Sequence, residues 1–154
     1  MLTRALPLLA FLAAALPAAA EDIPVPATAA AEGFAPVPAA EADLVALRHK
    51  LRPIVIFADT PDDPAFVEQL RLLSLRWSEL AERDVVVIAD TDPAAPSAIR
   101  TKLRPRGFMF VLIDKDGQVA LRKPFPWDAR ELMRAIDRMP DRREELRNRR
   151  ATGG

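Results

Sequence analysis

The feature that most constrains the fold is a set of three short apolar runs, PIVIFA (residues 53–58), DVVVIA (84–89) and FMFVLI (108–113). Each run is rich in β-branched or aromatic residues and shows no polar alternation, which is typical of strands covered on both faces. The segment between the first two runs is long enough for the helical crossover that parallel strands require. The sequence therefore predicts an α/β domain built around these three strands.

A long amphipathic helix is predicted between the first two strands. Thr60 and Asp63 are each followed by proline, so either could cap its N-terminus. Beyond them, apolar residues recur at alternating steps of four and three residues, which places them on one helical face. These residues are Phe66, Leu70, Leu73, Trp77 and Leu80. Strand, helix and strand together predict a βαβ unit with parallel strands.

The second half of the chain predicts a hairpin between two helices. A short helix starts at Asp92 and ends near Leu103, and the Asp116-Gly117 turn joins the strand at 108–113 to a fourth strand at 118–123. A capping box beginning at Asp128 starts a closing helix, which Pro140 interrupts. The predicted order is β-α-β-α-β-β-α, a central four-stranded mixed sheet flanked by helices, and it resembles the core of the thioredoxin fold.

The N-terminus predicts a secretory signal peptide. Arg4 precedes a short apolar stretch, and small residues up to Ala20 offer a cleavage site, so we expect a periplasmic or secreted protein. The apolar stretch is too short to cross a bilayer, and we expect no transmembrane anchor after cleavage. The predicted organisation is a signal peptide (1–20), a Pro/Ala-rich disordered linker (21–40), one domain (41–146) and a disordered tail (147–154).

The absence of cysteine excludes several chemistries. With no cysteine and a single histidine, the chain cannot perform thiol catalysis or disulfide exchange, and it cannot build a Cys-based zinc site or a multi-histidine site. We therefore expect no cofactor and no thiol-based oxidoreductase activity. A binding role is favoured over an enzymatic one.

Charge is balanced overall, with 22 basic and 22 acidic residues, which argues against a nucleic-acid partner. Six arginines nevertheless lie between residues 138 and 150. Interleaved acids, Asp141, Glu144 and Glu145, predict ion pairs along a last helix. A basic stretch could also hold an anionic partner, or the partner could be another protein. The sequence does not indicate an oligomeric state.

A cluster of polar residues is predicted where the first two strands end and the third begins. Open α/β sheets usually bind ligands at this edge. Its carboxylates could coordinate a divalent cation, or they could cap helices with the arginines balancing their charge. The residues are Asp59, Thr60, Asp62, Asp63, Asp90, Asp92, Arg104 and Arg106.

Five segments, PIVIFA, TPDD, AERDVVVIAD, VLIDKDGQVALR and AIDRMPDRREEL, are similar to the family named domain of unknown function 4174, over residues 47–146. The most specific positions are Lys115, Asp116, Gly117, Ile136, Asp137, Met139, Pro140, Arg142 and Glu145. The resemblance implies a thioredoxin-like or peroxiredoxin-like fold of undetermined activity. Against the peroxiredoxin pattern Pro-x-x-x-Thr-x-x-Cys, Thr60 matches, but Ile56 stands at the proline and Asp63 at the cysteine. The bond before Pro105, which is close to the position of the thioredoxin cis-proline, is predicted to be trans.

Overall fold

The computed structural model describes residues 33–153, so the predicted signal peptide and the first part of the predicted linker lie outside the described residues. The strands are β1 (Val37–Pro38), β2 (Arg52–Phe57), β3 (Val85–Asp90), β4 (Met109–Ile113) and β5 (Val119–Lys123). The helices are α1 (Leu44–Leu47), α2 (Pro64–Ser74), α3 (Trp77–Ala81), α4 (Ala98–Leu103), α5 (Ala129–Asp137) and α6 (Pro140–Thr152). Within the described residues, no helix has the length and apolar character needed to span a membrane.

The sheet is mixed, with strand order β1-β3-β2-β4-β5. Strand β3 runs parallel to both β1 and β2. Strand β4 runs antiparallel to β2 and to β5. The predicted α/β class, the βαβ unit and the hairpin are therefore confirmed.

Within residues 33–153 the sheet has five strands, where four were predicted. Val37 and Pro38 pair with Ile88 and Ala89 of β3, and the backbone N–H of Ala39 donates to the carbonyl of Ala89 at 2.9 Å. A proline is tolerated here because β1 is an edge strand with one neighbour. Such a short strand, lying in the segment 21–40 predicted as a linker, carries no periodic signal in its sequence.

Three helices differ from their predicted extent. The helix predicted to start at Asp92 begins at Ala98, as α4, with Ser97 as its N-cap. The helix predicted between the first two strands is divided into α2 and α3, because Arg76 has non-helical dihedrals (φ −126°, ψ 25°). The apolar periodicity crosses this break, since Leu73 and Leu80 on either side are both fully buried. At the C-terminus, α6 continues to Thr152, through most of the range 147–154 that was predicted as a disordered tail.

The two faces of the sheet carry separate cores. Ile54 and Ile56 of β2 belong to the core on the α2, α3 and α5 side, whereas Val55 and Phe57 belong to the core that includes Ile99 of α4. Every residue of β2 is buried. This explains why its sequence is continuously apolar apart from its first residue.

Candidate functional site

Asp90, at the C-terminal end of β3, is held by two partners within the fold. Its Oδ1 accepts from Nε of Arg100 at 2.7 Å, and its Oδ2 accepts from the hydroxyl of Ser97 at 2.6 Å. The pair is almost completely buried, since the side chains of Arg100 and Asp90 are 9% and 4% exposed. Both oxygens of the most buried acid of the predicted edge are therefore engaged by protein groups.

Arg100 also joins the neighbouring strand ends. Its Nη2 donates to the carbonyl of Ala58 at 2.8 Å and to that of Asp90 at 3.0 Å. Its guanidinium lies 5.3 Å from the ring centroid of Phe57. Arg100 was not predicted as a site residue, because its partners come from two strands. The position of Ser97 as the N-cap of α4 is the local feature that brings Arg100 to Asp90.

Two further acids of the predicted edge act as caps. Asp63 caps α2 by accepting from the backbone N–H groups of Ala65 and Phe66 at 2.8 and 3.2 Å. Asp92 accepts from the N–H groups of Ala94 and Ala95, which form a turn before α4. Each carboxylate thus satisfies backbone donors that would otherwise be unpaired.

The remaining predicted edge residues are exposed. Asp59, Thr60 and Asp62 lie on the solvent-facing loop between β2 and α2, and Arg104 and Arg106 are exposed after α4. Across residues 33–153, no group of three or more His, Cys, Asp or Glu residues is arranged to hold a metal ion. The bond before Pro105 is trans, as predicted.

The opposite end of the sheet carries an ion network centred on Arg52, the first residue of β2. Arg52 is completely buried. Its Nη2 lies 2.6 Å from Oδ2 of Asp141 and 2.8 Å from Oε1 of Glu145, and its Nη1 donates to the carbonyl of Arg83 at 2.9 Å. These contacts connect the central strand of the sheet to α6.

Glu145 forms ion pairs with three cationic side chains. Besides Arg52, Nζ of Lys115 lies 2.7 Å from its Oε1, and Nη1 of Arg142 lies 3.1 Å from its Oε2. Partial burial alone would raise the pKa of Glu145, but the hydrogen bonds from Lys115, Arg52 and Arg142 outweigh it and lower the pKa to about 2. Glu145 therefore stays ionised over the whole physiological range.

The network extends to both sides of this centre. Arg83 forms a bidentate pair with Asp137 at 2.9 and 2.8 Å, and Lys115 also contacts Asp84 at 2.7 Å. Four cations thus face four carboxylates, and the charges balance without a ligand. The members are Arg52, Arg83, Lys115, Arg142, Asp84, Asp137, Asp141 and Glu145.

This network accounts for several of the motif residues singled out in the sequence. Lys115, Asp137, Arg142 and Glu145 belong to it, whereas Ile136 is buried in the core. The others shape the chain or lie beside the network: Met139 is the N-cap of α6, Pro140 its first residue, Gly117 has a positive φ of 84°, and Asp116 is exposed. Arg52 was missed, although a charged residue beginning an otherwise apolar strand is a usable signal.

An apolar cleft lies beside the loop that precedes α2. Its volume is about 230 Å³, and Phe34, Phe66, Val67 and Leu70 supply most of its walls. Phe34 packs edge-on against Trp77, with ring centroids 5.3 Å apart. The charged residue at its border, Arg71, is already paired with Glu68 at 2.7 Å. The cleft therefore suits apolar contacts more than a chemical reaction.

Solved structures similar to this chain include peroxiredoxins. A reduced 2-Cys peroxiredoxin of Plasmodium vivax is 14% identical with a TM-score of 0.52, and the match covers 62% of this chain and 81% of that one. A yeast mitochondrial 1-Cys peroxiredoxin is also 14% identical, with a TM-score of 0.49 and coverage of 68% and 96%. At these identities the likeness to the first structure shows a common fold. No curated protein matches the chain.

The sequence also matches a described family over most of the domain. The match runs over residues 43–145 and includes the βαβ unit, the hairpin, α5 and the part of α6 that reaches Glu145. The matched region therefore includes both ends of the sheet at which ion pairs form, one around Asp90 and the other around Arg52. The chain belongs to the family Domain of unknown function (DUF4174).

Proposed function

We propose that this chain is an exported thioredoxin-like module that acts by binding a partner and carries out no redox chemistry. The observation that supports it best is the position of Asp63. In the peroxiredoxin pattern this position belongs to the cysteine nucleophile, and here its carboxylate accepts two backbone N–H groups as the cap of α2. The chain contains no cysteine that could replace it.

The second support comes from the ends of the sheet. At the carboxyl end of β3, Arg100 and Ser97 engage both oxygens of Asp90. At the other end, eight charged residues neutralise one another around Arg52. The polar groups that could have formed a reaction centre are thus used to hold the fold together.

Turnover assays test this proposal. The purified chain is incubated with hydrogen peroxide and a thiol reductant, and separately with a disulfide-bonded protein substrate. We expect no rate above the buffer control. The Asp63→Ala variant provides a matched chain that lacks the carboxylate at the nucleophile position. Measurable turnover by the wild type would refute the proposal, and its loss in this variant would assign the reaction to Asp63.

Export is tested separately by fractionating the producing cells and sequencing the N-terminus of the mature chain. We expect a periplasmic or secreted protein that begins near Glu21, because the residues up to Ala20 resemble a cleavage site. A cytoplasmic protein that retains Met1 would contradict this part of the proposal.

The alternative function is divalent-cation binding at the acidic edge. The observation that favours it is a cleft of about 270 Å³ lined by Asp90, Thr91, Asp92 and Ser97, with Asp59 exposed at the end of the adjacent strand. Oxygen ligands of this kind suit Ca²⁺ or Mg²⁺. Thermal melting with Ca²⁺, Mg²⁺ and Mn²⁺ tests it. A saturable rise in Tm that Asp59→Asn and Asp92→Asn remove would support the alternative, and an unchanged Tm would reject it.

A further inference from the structure

The fold separates the charges of α6 between its two sides. Asp141, Arg142 and Glu145 face the sheet, where they join the ion network around Arg52. Two of the three acids of α6, Asp141 and Glu145, therefore form ion pairs on the side that faces the sheet. The sequence predicted that these acids would pair with arginines along the helix, but only the Arg142–Glu145 pair is of that kind.

The outer side of α6 is left with arginine. Arg143, Arg147 and Arg150 follow one another at steps of four and three residues, so they form one stripe, and all three are exposed. Positions 143, 147 and 150 lie roughly opposite positions 141 and 145 around a helix of 3.6 residues per turn. Within residues 33–153, none of the three has a carboxylate oxygen within 4.0 Å.

Helix α5 repeats this arrangement. Its apolar residues are buried in the core, while Arg130 and Arg134 are exposed on the helix and Arg138 is exposed just after it. Of the two acids of α5, Asp137 pairs with Arg83, whereas Glu131 accepts from the neutral Nε1–H of Trp127 and keeps its charge on the exposed side.

Together α5, α6 and the turn between them present seven exposed arginines and two exposed acids, Glu131 and Glu144. Arg149 lies on the same side of α6 as Asp141 and Glu145, so it is left out. We call the other six the arginine surface, which comprises Arg130, Arg134, Arg138, Arg143, Arg147 and Arg150.

We propose that the arginine surface docks the protein on a membrane that carries anionic phospholipid headgroups. Guanidinium groups bind phosphate through paired hydrogen bonds, and several of them side by side favour a surface with many phosphates. The arginines are spread over two successive helices, which suits an extended surface better than a single small ligand. Helix α6 has no exposed large apolar residue, so the contact is with headgroups and not with acyl chains.

This inference rests on the proposed function, because it names the partner of a module that acts by binding. It adds that binding is electrostatic and therefore weakens as salt rises. The two proposals have separate readouts. Failure to bind vesicles would exclude the membrane as the partner and would not affect the proposal that the chain is redox-inactive. Measurable redox turnover would refute redox inactivity and would not affect the membrane proposal.

The experiment is sedimentation of the purified mature chain with vesicles of phosphatidylcholine alone or phosphatidylcholine mixed with phosphatidylglycerol. The test variant carries Arg143→Ala, Arg147→Ala and Arg150→Ala. The matched control carries Lys50→Ala, Lys102→Ala and Arg106→Ala, which removes the same charge from exposed positions elsewhere. Thermal melting of all three proteins verifies folding.

We expect the wild type to bind vesicles containing phosphatidylglycerol and not those of phosphatidylcholine alone. Binding should fall roughly tenfold or more in the test variant and less than about twofold in the control, because anionic lipid attracts each nearby cation separately. Raising the salt concentration should release the wild type, a result that needs no variant. Failure to bind anionic vesicles would overturn the proposal, as would equal losses in both variants. Binding to soluble dextran sulfate without vesicle binding would also overturn it.

Discussion

The guanidinium of Arg52 lies 2.8 Å from the carboxylate of Glu145, although 93 residues separate the two in sequence. This contact joins the first residue of β2 to the last helix. Helix α6 has one buried residue, Arg142, so apolar burial contributes little to its attachment. We infer that the ion pairs of Asp141 and Glu145 with Arg52, and of Glu145 with Lys115, hold α6 against the sheet.

Replacing Arg52 should therefore be costly. Arg52→Met removes the cation and leaves Asp141 and Glu145 with less compensation in a partly buried place, which typically costs about 3 kcal/mol or more. Urea unfolding at neutral pH measures the change. Arg76→Met is the control, because Arg76 pairs with Glu79 at a more exposed position and such pairs contribute less than about 1 kcal/mol. Equal losses of stability in the two variants would contradict the inference.

Glu145 should make stability depend on pH. Its pKa is lowered from 4.5 to about 2 in the folded protein, so the folded state favours the ionised carboxylate. The resulting stabilisation is present above pH 4.5 and is lost as the pH falls towards 2, with a full value of about 3 kcal/mol.

The free energy of unfolding of the wild type and of Glu145→Gln, measured from pH 7 to pH 2, tests this dependence. The wild type should be the more stable at pH 7, and the difference between the two should shrink below pH 4.5. A difference that stays constant across this range would show that ionisation of Glu145 is not the source of the stabilisation.

Asp63 should behave as a helix cap. Asp63→Ala should lower the free energy of unfolding by about 1 kcal/mol, because two N–H groups at the start of α2 lose their acceptor. Asp63→Asn keeps an acceptor and should cost much less. Chemical denaturation of the two variants measures the ratio. If Asp63→Asn were as destabilising as Asp63→Ala, the negative charge and not the cap would be its contribution.

The sequence predicted the parts of this fold that rest on local patterns. The apolar runs became β2, β3 and β4 because residues buried on both faces must be continuously apolar, and Asp63 caps α2 because capping needs only its neighbours. The division between α2 and α3 could not be seen in the sequence, because Leu73 and Leu80, on either side of it, are both buried in the core and continue one apolar periodicity.

The contacts around Arg52 and Asp90 could not be predicted from local sequence patterns, because they join residues that are distant in sequence. The partners of Arg52 lie 89 and 93 residues away, and Arg100 contacts the ends of two strands. These pairings depend on which strand ends and helices meet, so a list of charged residues could not distinguish a cation site from an internal ion pair. The acidic edge was proposed on that incomplete basis, with helix caps as the alternative.

The central claim is that the polar residues at the ends of the sheet serve the fold. A double-mutant cycle with Asp90→Asn and Arg100→Met, measured by urea unfolding in buffer containing a chelator, tests it most directly. We predict that each single variant loses about 3 kcal/mol, that the double variant loses less than their sum, and that the coupling energy exceeds about 1 kcal/mol. Additive losses, together with a gain in wild-type stability on adding Ca²⁺ or Mg²⁺ that Asp90→Asn abolishes, would contradict the claim.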